Sequence, residues 1–315
     1  MGNKNDLVGI TKEMKCGIKG TVIWASEDRK KVNIEFENGV IMTDRCYSSF
    51  SSKSLNPLSL YINIPTIGFI FKTNQGSMAR VLEVINCNKI LIEFQDEYRY
   101  KKYVPNSEIK SGSILNPYYK SVCGVGYLGV DTKNTTEGNY NRCKNTWMSI
   151  IRRGYDKQTK IKRPKYLGCS VCDEWHNFQN FKKWYDENYY EINGERMCID
   201  KDIIIKDNKI YSPEACIFVP NRINVLFTKS DSVRGSLPIG VHKSNNSFSA
   251  SCSEIQSNGK KAQTHLGTFK TPEEAFYAYK TYKEKVIKEV ANKYKEVIPN
   301  KLYEALYKWE VEIND

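Results

Sequence analysis

The sequence contains no run of about 18 consecutive apolar residues, the length that a membrane-spanning helix requires. Its first ten residues, MGNKNDLVGI, lack the apolar stretch of a secretory signal. The ten cysteines are scattered along the chain, which together with the missing signal predicts reduced thiols rather than disulfides. We therefore expect a cytoplasmic protein that has no membrane partner.

A second cysteine pair is also missing. Cys169 and Cys172 form a CxxC motif, and His176 lies close in sequence, but Cys198 and Cys216 are isolated. Structural zinc sites usually need four ligands supplied as two pairs. Half a motif argues against a structural zinc, and the alternative is a pair of small thiols buried in an apolar segment.

Acidic residues are too few to balance the basic ones, with 36 Asp and Glu against 48 Lys and Arg and a net charge of +12. This excess predicts a polyanionic partner, and double-stranded DNA is the first expectation. Residues 141–166 are the most basic stretch, and an apolar stripe in their first half favours an amphipathic helix. The candidate phosphate contacts are Arg152, Arg153, Lys162 and Arg163. A solvated helix face is the alternative.

Residues 9–58 and 64–117 form an internal repeat. Ile34-Glu35-Phe36-Glu37 recurs 58 positions later as Ile92-Glu93-Phe94-Gln95. Alternating apolar and polar residues around these matching segments predict β-strands, and hence two small curled β-barrels in tandem. Charge in residues 1–60 is nearly balanced, with nine basic and seven acidic residues. We therefore expect these repeats to bind a protein partner or to act as spacers.

The C-terminal region predicts three strands followed by one helix. Residues 239–243, 247–252 and 263–269 are the strands, and Thr271-Pro272-Glu273-Glu274 is a helix start with a capping box. This order resembles the APETALA-type (ethylene-response-factor) DNA-binding domain. The matching residues are Gly240-Val241, Leu266-Gly267-Thr268-Phe269 and Thr271-Pro272-Glu273-Glu274-Ala275.

The resemblance implies a sheet that lies in the DNA major groove, where all four base pairs can be distinguished. Carried over position by position, the base or phosphate contacts would be His242, Lys243, Ser251, Gln263 and His265. For either histidine, a surface imidazole on a strand is the alternative.

Residues 197–224, MCIDKDIIIKDNKIYSPEACIFVPNRIN, predict a strand, a polar turn, a short return strand and a helix. The return strand is Ile210-Tyr211, and Ser212-Pro213-Glu214 is the predicted helix start. This order resembles the ββα-metal core of HNH nucleases, with Lys201 at the position of the family's histidine.

In that family a base activates water and a divalent metal stabilises the leaving oxygen. The resemblance implies Asp200 and Asp202 as ligands of magnesium or manganese, Lys201 as the base, and Asn224 as the helix asparagine. A free lysine has a pKa of about 10.4, so burial would have to lower it. Strand alternation would place Asp200 and Asp202 on one face and Lys201, in apolar company, on the other. The alternative is a degenerate scaffold that binds DNA without cutting it.

The expected fold is multidomain α+β. The predicted parts are two β-barrel repeats (1–60 and 61–120), an HNH-like domain with a basic helix (121–232), an APETALA-type domain (236–296) and a helical tail (297–315). The order of the last domains resembles phage-encoded homing endonucleases that act in a bacterial host. The expected function is metal-dependent cutting of DNA. The alternatives are a non-catalytic DNA-binding regulator and an interaction protein that engages a host factor through the repeats.

Overall fold

The computed structural model describes residues 6–57, 64–130, 137–228, 236–255 and 261–315. The chain divides into two compact units, Met1–Tyr119 and Lys120–Asp315. Helices and several small, mostly antiparallel sheets occur in the described residues, which confirms the predicted mixed α+β class. None of the described helices is long and apolar enough to cross a membrane.

The first unit contains two four-stranded antiparallel sheets, each followed by a short helix. The first copy consists of β1 Thr11–Glu13, β2 Lys19–Ala25, β3 Lys31–Phe36, β4 Ile41–Cys46 and α1 Tyr47–Ser51. The second consists of β5 Ile70–Lys72, β6 Met78–Asn86, β7 Lys89–Phe94, β8 Lys101–Val104 and α2 Asn106–Ser111. Each copy has its own apolar core.

The internal repeat is visible in the backbone as well as in the sequence. Val22 in β2 and Val81 in β6 each adjoin a β-bulge opposite the following strand. The N–H of Gly9 donates to the carbonyl of Val22 at 2.8 Å, and Gly68 bonds Val81 at the same distance. Both sheets are open, because three-residue strands β1 and β5 each pair with one neighbour among the described strands. The predicted small curled β-barrels are therefore not confirmed, and each repeat is an open four-stranded sheet among the described strands.

The second unit has a helical core. Its helices are α3 Glu137–Tyr155, α4 Lys157–Lys162 and α5 Phe178–Asn188, with 3-10 turns at Pro164–Tyr166 and Asp173–His176. Trp147, Ile150 and Ile151 are buried along α3, which confirms the predicted amphipathic helix. They share one apolar cluster with Trp175 and Phe178. Polar and basic residues occupy the opposite side of α3.

Four short strands accompany the helical core, one before α5 and three after it. They are β9 Ser170–Val171, β10 Met197–Asp200, β11 Ile210–Tyr211 and β12 Ile217–Pro220, and α6 Asn221–Asn224 follows β12. The predicted return strand β11 pairs in parallel with β9, whereas β10 pairs antiparallel with β12. The predicted helix start at Ser212 is wrong. The N–H of Cys216 bonds the Ser212 carbonyl at 2.9 Å in a turn, because the next residues extend to form buried β12.

The C-terminal elements confirm the predicted three strands and helix. They are β13 Val241–Ser244, β14 Ser247–Ile255, β15 Lys261–Phe269, α7 Pro272–Tyr294 and, after it, α8 Asn300–Tyr307. The capping box forms as expected. The Thr271 hydroxyl accepts the Glu274 N–H at 3.2 Å, and the Glu274 carboxylate accepts the Thr271 N–H at 3.3 Å.

Helix α7 takes part in two apolar cores. Its first half packs on the three-stranded sheet, where Ala275, Phe276 and Tyr279 meet Val241 and Ala250. Its second half packs with α8 against residues between 203 and 226. One face of the sheet is covered by this helix.

Candidate nucleic-acid interface

The described side chains on the outer face of the β13–β15 sheet are polar. Residues paired across an antiparallel sheet share a face, so the register separates the outer residues from the inward-facing Val241, Ala250 and Cys252. The outer residues are His242, Ser249, Ser251, Ser253, Gln263, His265 and Thr268. These positions include no acidic residue. These side chains therefore carry no negative charge that would repel a polyanion.

Four of the predicted DNA contacts meet on this face. Nε2 of Gln263 donates to Oγ of Ser251 at 2.9 Å. Oγ of Ser251 also lies 3.1 Å from Nε2 of His242. His265 stands directly opposite Ser251 in the register of β14 and β15. The four side chains therefore form a polar strip that runs across all three strands.

Lys243 does not belong to this strip. Its partner in the register is Phe248, which packs against the apolar cluster under the sheet. Strand alternation therefore places Lys243 on the helix side of β13, where it is exposed to solvent. From the edge of the sheet it can reach a phosphate, but it is turned away from the outer face.

The basic stretch divides into outward-facing and inward-facing side chains. Arg152, Lys162 and Arg163 are exposed at the end of α3 and along α4. Arg153 faces inward instead. Its guanidinium lies 5.2 Å from the centre of the Tyr166 ring, and Nη1 donates to the Tyr211 hydroxyl at 3.3 Å. Nε of Arg153 is buried without a hydrogen-bond partner.

Asp200 closes strand β10 and caps the bend that follows it. Its Oδ1 accepts the N–H groups of Asp202 and Ile203, both at 2.9 Å. Burial, reinforced by the charge of Asp202, raises the pKa of Asp200 to about 6. Burial disfavours the charged form of this carboxylate, and the two backbone N–H groups hold it in place.

Lys201 is buried, as its apolar company predicted, with 7% of its surface exposed. Its Nζ donates to Oδ2 of Asp202 at 3.0 Å and to the carbonyl of Asn208 at 2.8 Å. The prediction that Lys201 and Asp202 lie on opposite faces is wrong, because regular strand ends at Asp200. Lys201 therefore clamps the turn between residues 200 and 208.

The predicted metal ligands do not form a complete donor set. Oδ1 of Asp200 is engaged by two N–H groups, and Asp202 is paired with Lys201. In the described ranges, no three or more His, Cys, Asp or Glu side chains are grouped to hold a metal ion. No hydrogen bond in that part of the chain joins Asn224 in α6 to either carboxylate. The side chains as they lie do not fit a divalent cation.

The CxxC motif is part of the helical core. Both thiols are free, and Cys169 is buried while Cys172 packs against the same cluster. Burial raises the pKa of Cys172, which favours the uncharged thiol. The nearby His176 is engaged elsewhere, since its Nε2 lies 2.8 Å from the hydroxyl of Tyr155. These residues pack and hydrogen-bond within the core.

A groove that the sequence did not reveal lies beside α3. It has a volume of about 930 Å³. Its lining includes Arg142, Asn145, Thr146, Ser149 and Arg153 of α3, and Tyr189, Glu191, Asn193, Gly194 and Arg196 of the facing segment. The two walls are far apart in sequence. Their charged residues are the feature of the sequence that could have indicated either wall. The second wall meets the helix where Arg142 contacts Tyr189 and Glu191.

Comparisons of the chain with protein-family models, with curated proteins and with solved structures found no match. The function proposed below is therefore argued from the chemistry of this chain's own residues.

Proposed function

We propose that this protein binds double-stranded DNA through the outer face of the β13–β15 sheet. The observation that carries the proposal is the acid-free strip of His242, Ser251, Gln263 and His265 across three strands. Imidazole, hydroxyl and amide groups offer both donors and acceptors, as the base edges of the major groove require. The net charge of +12 favours the same partner.

The phosphate backbone would be held by residues outside the strip. Arg152, Lys162 and Arg163 form an exposed basic surface, and Lys243 lies at the edge of the sheet. Phosphate contacts set the position of a protein on the duplex, and base contacts select the sequence. This division of roles makes the sheet the element that chooses the site.

Selection from a pool of random-sequence duplexes tests the proposal directly. The full-length protein should enrich a common motif and bind it at least roughly a thousandfold more tightly than random duplex. A pool that shows no enrichment, bound with one uniform affinity, would show that the strip does not read bases. Complete absence of duplex binding would reject DNA as the partner.

A second candidate is a metal-dependent DNA endonuclease, and one observation favours it. Asp200 and Asp202 are adjacent carboxylates, and burial raises the pKa of Asp200 to about 6. Perturbed carboxylates of this kind are concentrated at functional sites. Holding magnesium or manganese would require Asp202 to release Lys201, so the pair as it stands supports a non-catalytic regulator better.

Incubation of the protein with plasmid and magnesium or manganese decides between these candidates. The substrates should include DNA that carries the enriched motif. Nicking that disappears in Asp200→Asn would establish the endonuclease. If wild-type protein and Asp200→Asn both leave the motif-bearing plasmid intact, the protein is a regulator that binds without cutting.

A further inference from the structure

Arg153 carries a positive charge in a partly buried position on α3. In the described residues no carboxylate pairs with it, and its one hydrogen bond runs from Nη1 to the hydroxyl of Tyr211. Its Nε is buried and unpartnered. Burying a charge is costly unless an opposite charge or several hydrogen bonds compensate it. A guanidinium that lacks a carboxylate partner attracts an anion from a bound molecule.

Two aromatic rings fix the position of this guanidinium. Its centre lies 5.2 Å from the Tyr166 ring and 6.0 Å from the Tyr211 ring. Cation–π contacts hold the side chain and offset part of its desolvation, but a neutral ring leaves the full charge available. The planar fork of arginine, held in one orientation, matches the oxygens of a phosphate.

The groove beside α3 gives an anion access to Arg153. From Arg142 to Arg153 the helix forms one wall for eleven residues, about 16 Å at 1.5 Å per residue. Small polar side chains, Asn145, Thr146 and Ser149, lie between the two arginines. The groove is therefore long enough for a short length of nucleic-acid backbone and offers hydrogen-bonding groups along its wall.

Three other charged residues of the groove have partners within the protein, and Arg196 is exposed to solvent. Arg142 forms an ion pair with Glu191 and also bonds the Tyr189 hydroxyl. Glu195 accepts a hydrogen bond of 2.6 Å from the hydroxyl of Tyr294. Among the cations that line the groove, Arg153 is thus the partly buried one, and the described residues give it no carboxylate partner.

We propose that this groove is a phosphate site, and that a backbone phosphate of bound DNA enters it to become the counter-ion of Arg153. The proposal rests on DNA binding as the function, but on a surface separate from the β13–β15 sheet. Arg153 would add one strong, sequence-independent contact, whereas the neighbouring Arg152 remains on the exposed surface. The two adjacent arginines therefore have different roles despite equal charge.

The first test uses inorganic phosphate and the full-length chain. Melting is followed by tryptophan fluorescence, since Trp147, Trp175, Trp184 and Trp309 lie in the second unit. At constant ionic strength, phosphate at ten times its Kd should raise the melting temperature of the wild type by roughly 3 °C relative to chloride. Arg153→Gln should lose this rise, and the control Lys209→Gln, which removes one exposed positive charge of the second unit outside the groove, should keep it. An equal response in both variants, or no phosphate effect in the wild type, would overturn the site.

The second test measures duplex DNA binding by the same variants. Arg153→Gln should weaken binding to every sequence by roughly tenfold, the loss expected for one charge-assisted contact, whereas Lys209→Gln should bind like the wild type. Arg153→Lys, which keeps the charge, should melt like the wild type and recover part of the affinity. DNA affinity that is unchanged in Arg153→Gln would contradict the proposal. Variants of the sheet leave this groove intact, so failure of the sheet to bind bases would be seen separately.

Discussion

The ammonium of Lys201 lies 3.0 Å from the carboxylate of Asp202, the next residue in the chain. The lysine side chain is 8% exposed and the aspartate side chain 42% exposed. A buried ammonium needs opposite charge and hydrogen-bond acceptors, and Asp202 and the Asn208 carbonyl provide them. We infer that this pair fixes the turn after β10, a structural role that differs from proton transfer.

Lys201→Met should destabilise the second unit. The substitution leaves the Asn208 carbonyl without its donor and Asp202 without its partner, which we expect to lower the free energy of unfolding by about 1–3 kcal/mol. Lys209→Met, at an exposed lysine of the same segment, is the matched control and should change it little. Urea unfolding followed by tryptophan fluorescence gives both values. Equal midpoints for the two variants would show that the clamp is unimportant.

Asp200→Asn should stabilise the protein at neutral pH. The folded pKa of Asp200, about 6, exceeds the ordinary value of 3.8, so between these values the folded state binds the proton more tightly. The contribution of Asp200 to the free energy of unfolding therefore falls as the pH rises through this window, and the penalty persists above it. Asparagine keeps an oxygen for the two backbone N–H groups and removes the charge.

Scanning calorimetry at two pH values measures this effect. Asp200→Asn should melt above the wild type at pH 7.5, and the difference should shrink towards zero near pH 4. A variant that melts below the wild type at both pH values would show that the carboxylate is stabilising, contrary to its raised pKa.

Gly240→Ala should destabilise the protein by more than the strain of its left-handed backbone conformation accounts for. A methyl group at Gly240 would lie 2.1 Å from an atom of the Tyr279 ring in α7, and the glycine has φ +79°. Gly124 has φ +73° with no atom within 4 Å of such a methyl group. Alanine at either position incurs similar left-handed strain, roughly 1–2 kcal/mol.

The difference in stability between these two alanine variants isolates the clash between residue 240 and the Tyr279 ring of α7. We expect Gly240→Ala to lose at least about 1–3 kcal/mol more stability than Gly124→Ala, the usual range for overpacking. Urea unfolding of the full-length chain provides the comparison. Equal losses would mean that Tyr279 moves aside without cost.

The exposed basic surface should determine the salt dependence of DNA binding. Replacing Lys162 and Arg163 together with alanine should reduce the slope of log K against log salt by about 0.9 for each lost phosphate contact. Lys110→Ala, in α2 of the first unit, should leave the slope unchanged. A double variant with the wild-type slope would make these residues a plain solvated face.

Features encoded locally were predictable from the sequence. The capping box at Thr271 formed because its two hydrogen bonds join residues three apart. The repeat was recognisable because both copies keep the same apolar alternation, and the structure adds the same bulge to each. The strip on the outer face of the sheet follows from alternation within β13, β14 and β15.

Features that depend on distant partners were not predictable. Ser212 has the local pattern of a helix start. The residues that follow it are nevertheless extended, because β12 pairs with β10. Strand alternation failed at Lys201 because the Asp200 side chain caps a bend immediately after β10. Arg153 was expected on the surface beside Arg152, and its rings come from Tyr166 and the distant Tyr211.

Equilibrium affinity for the enriched duplex tests the central claim most directly. Wild type, Gln263→Ala and His265→Ala should be compared at physiological salt on the motif and on a scrambled duplex, with Tyr277→Ala as control. Tyr277 is 65% exposed on α7, on the side of the domain opposite the strip. We predict that each strip variant loses about 1–3 kcal/mol on the motif and little on the scrambled duplex, while the control binds like the wild type. Strip variants that bind the motif as tightly as the wild type would contradict the account.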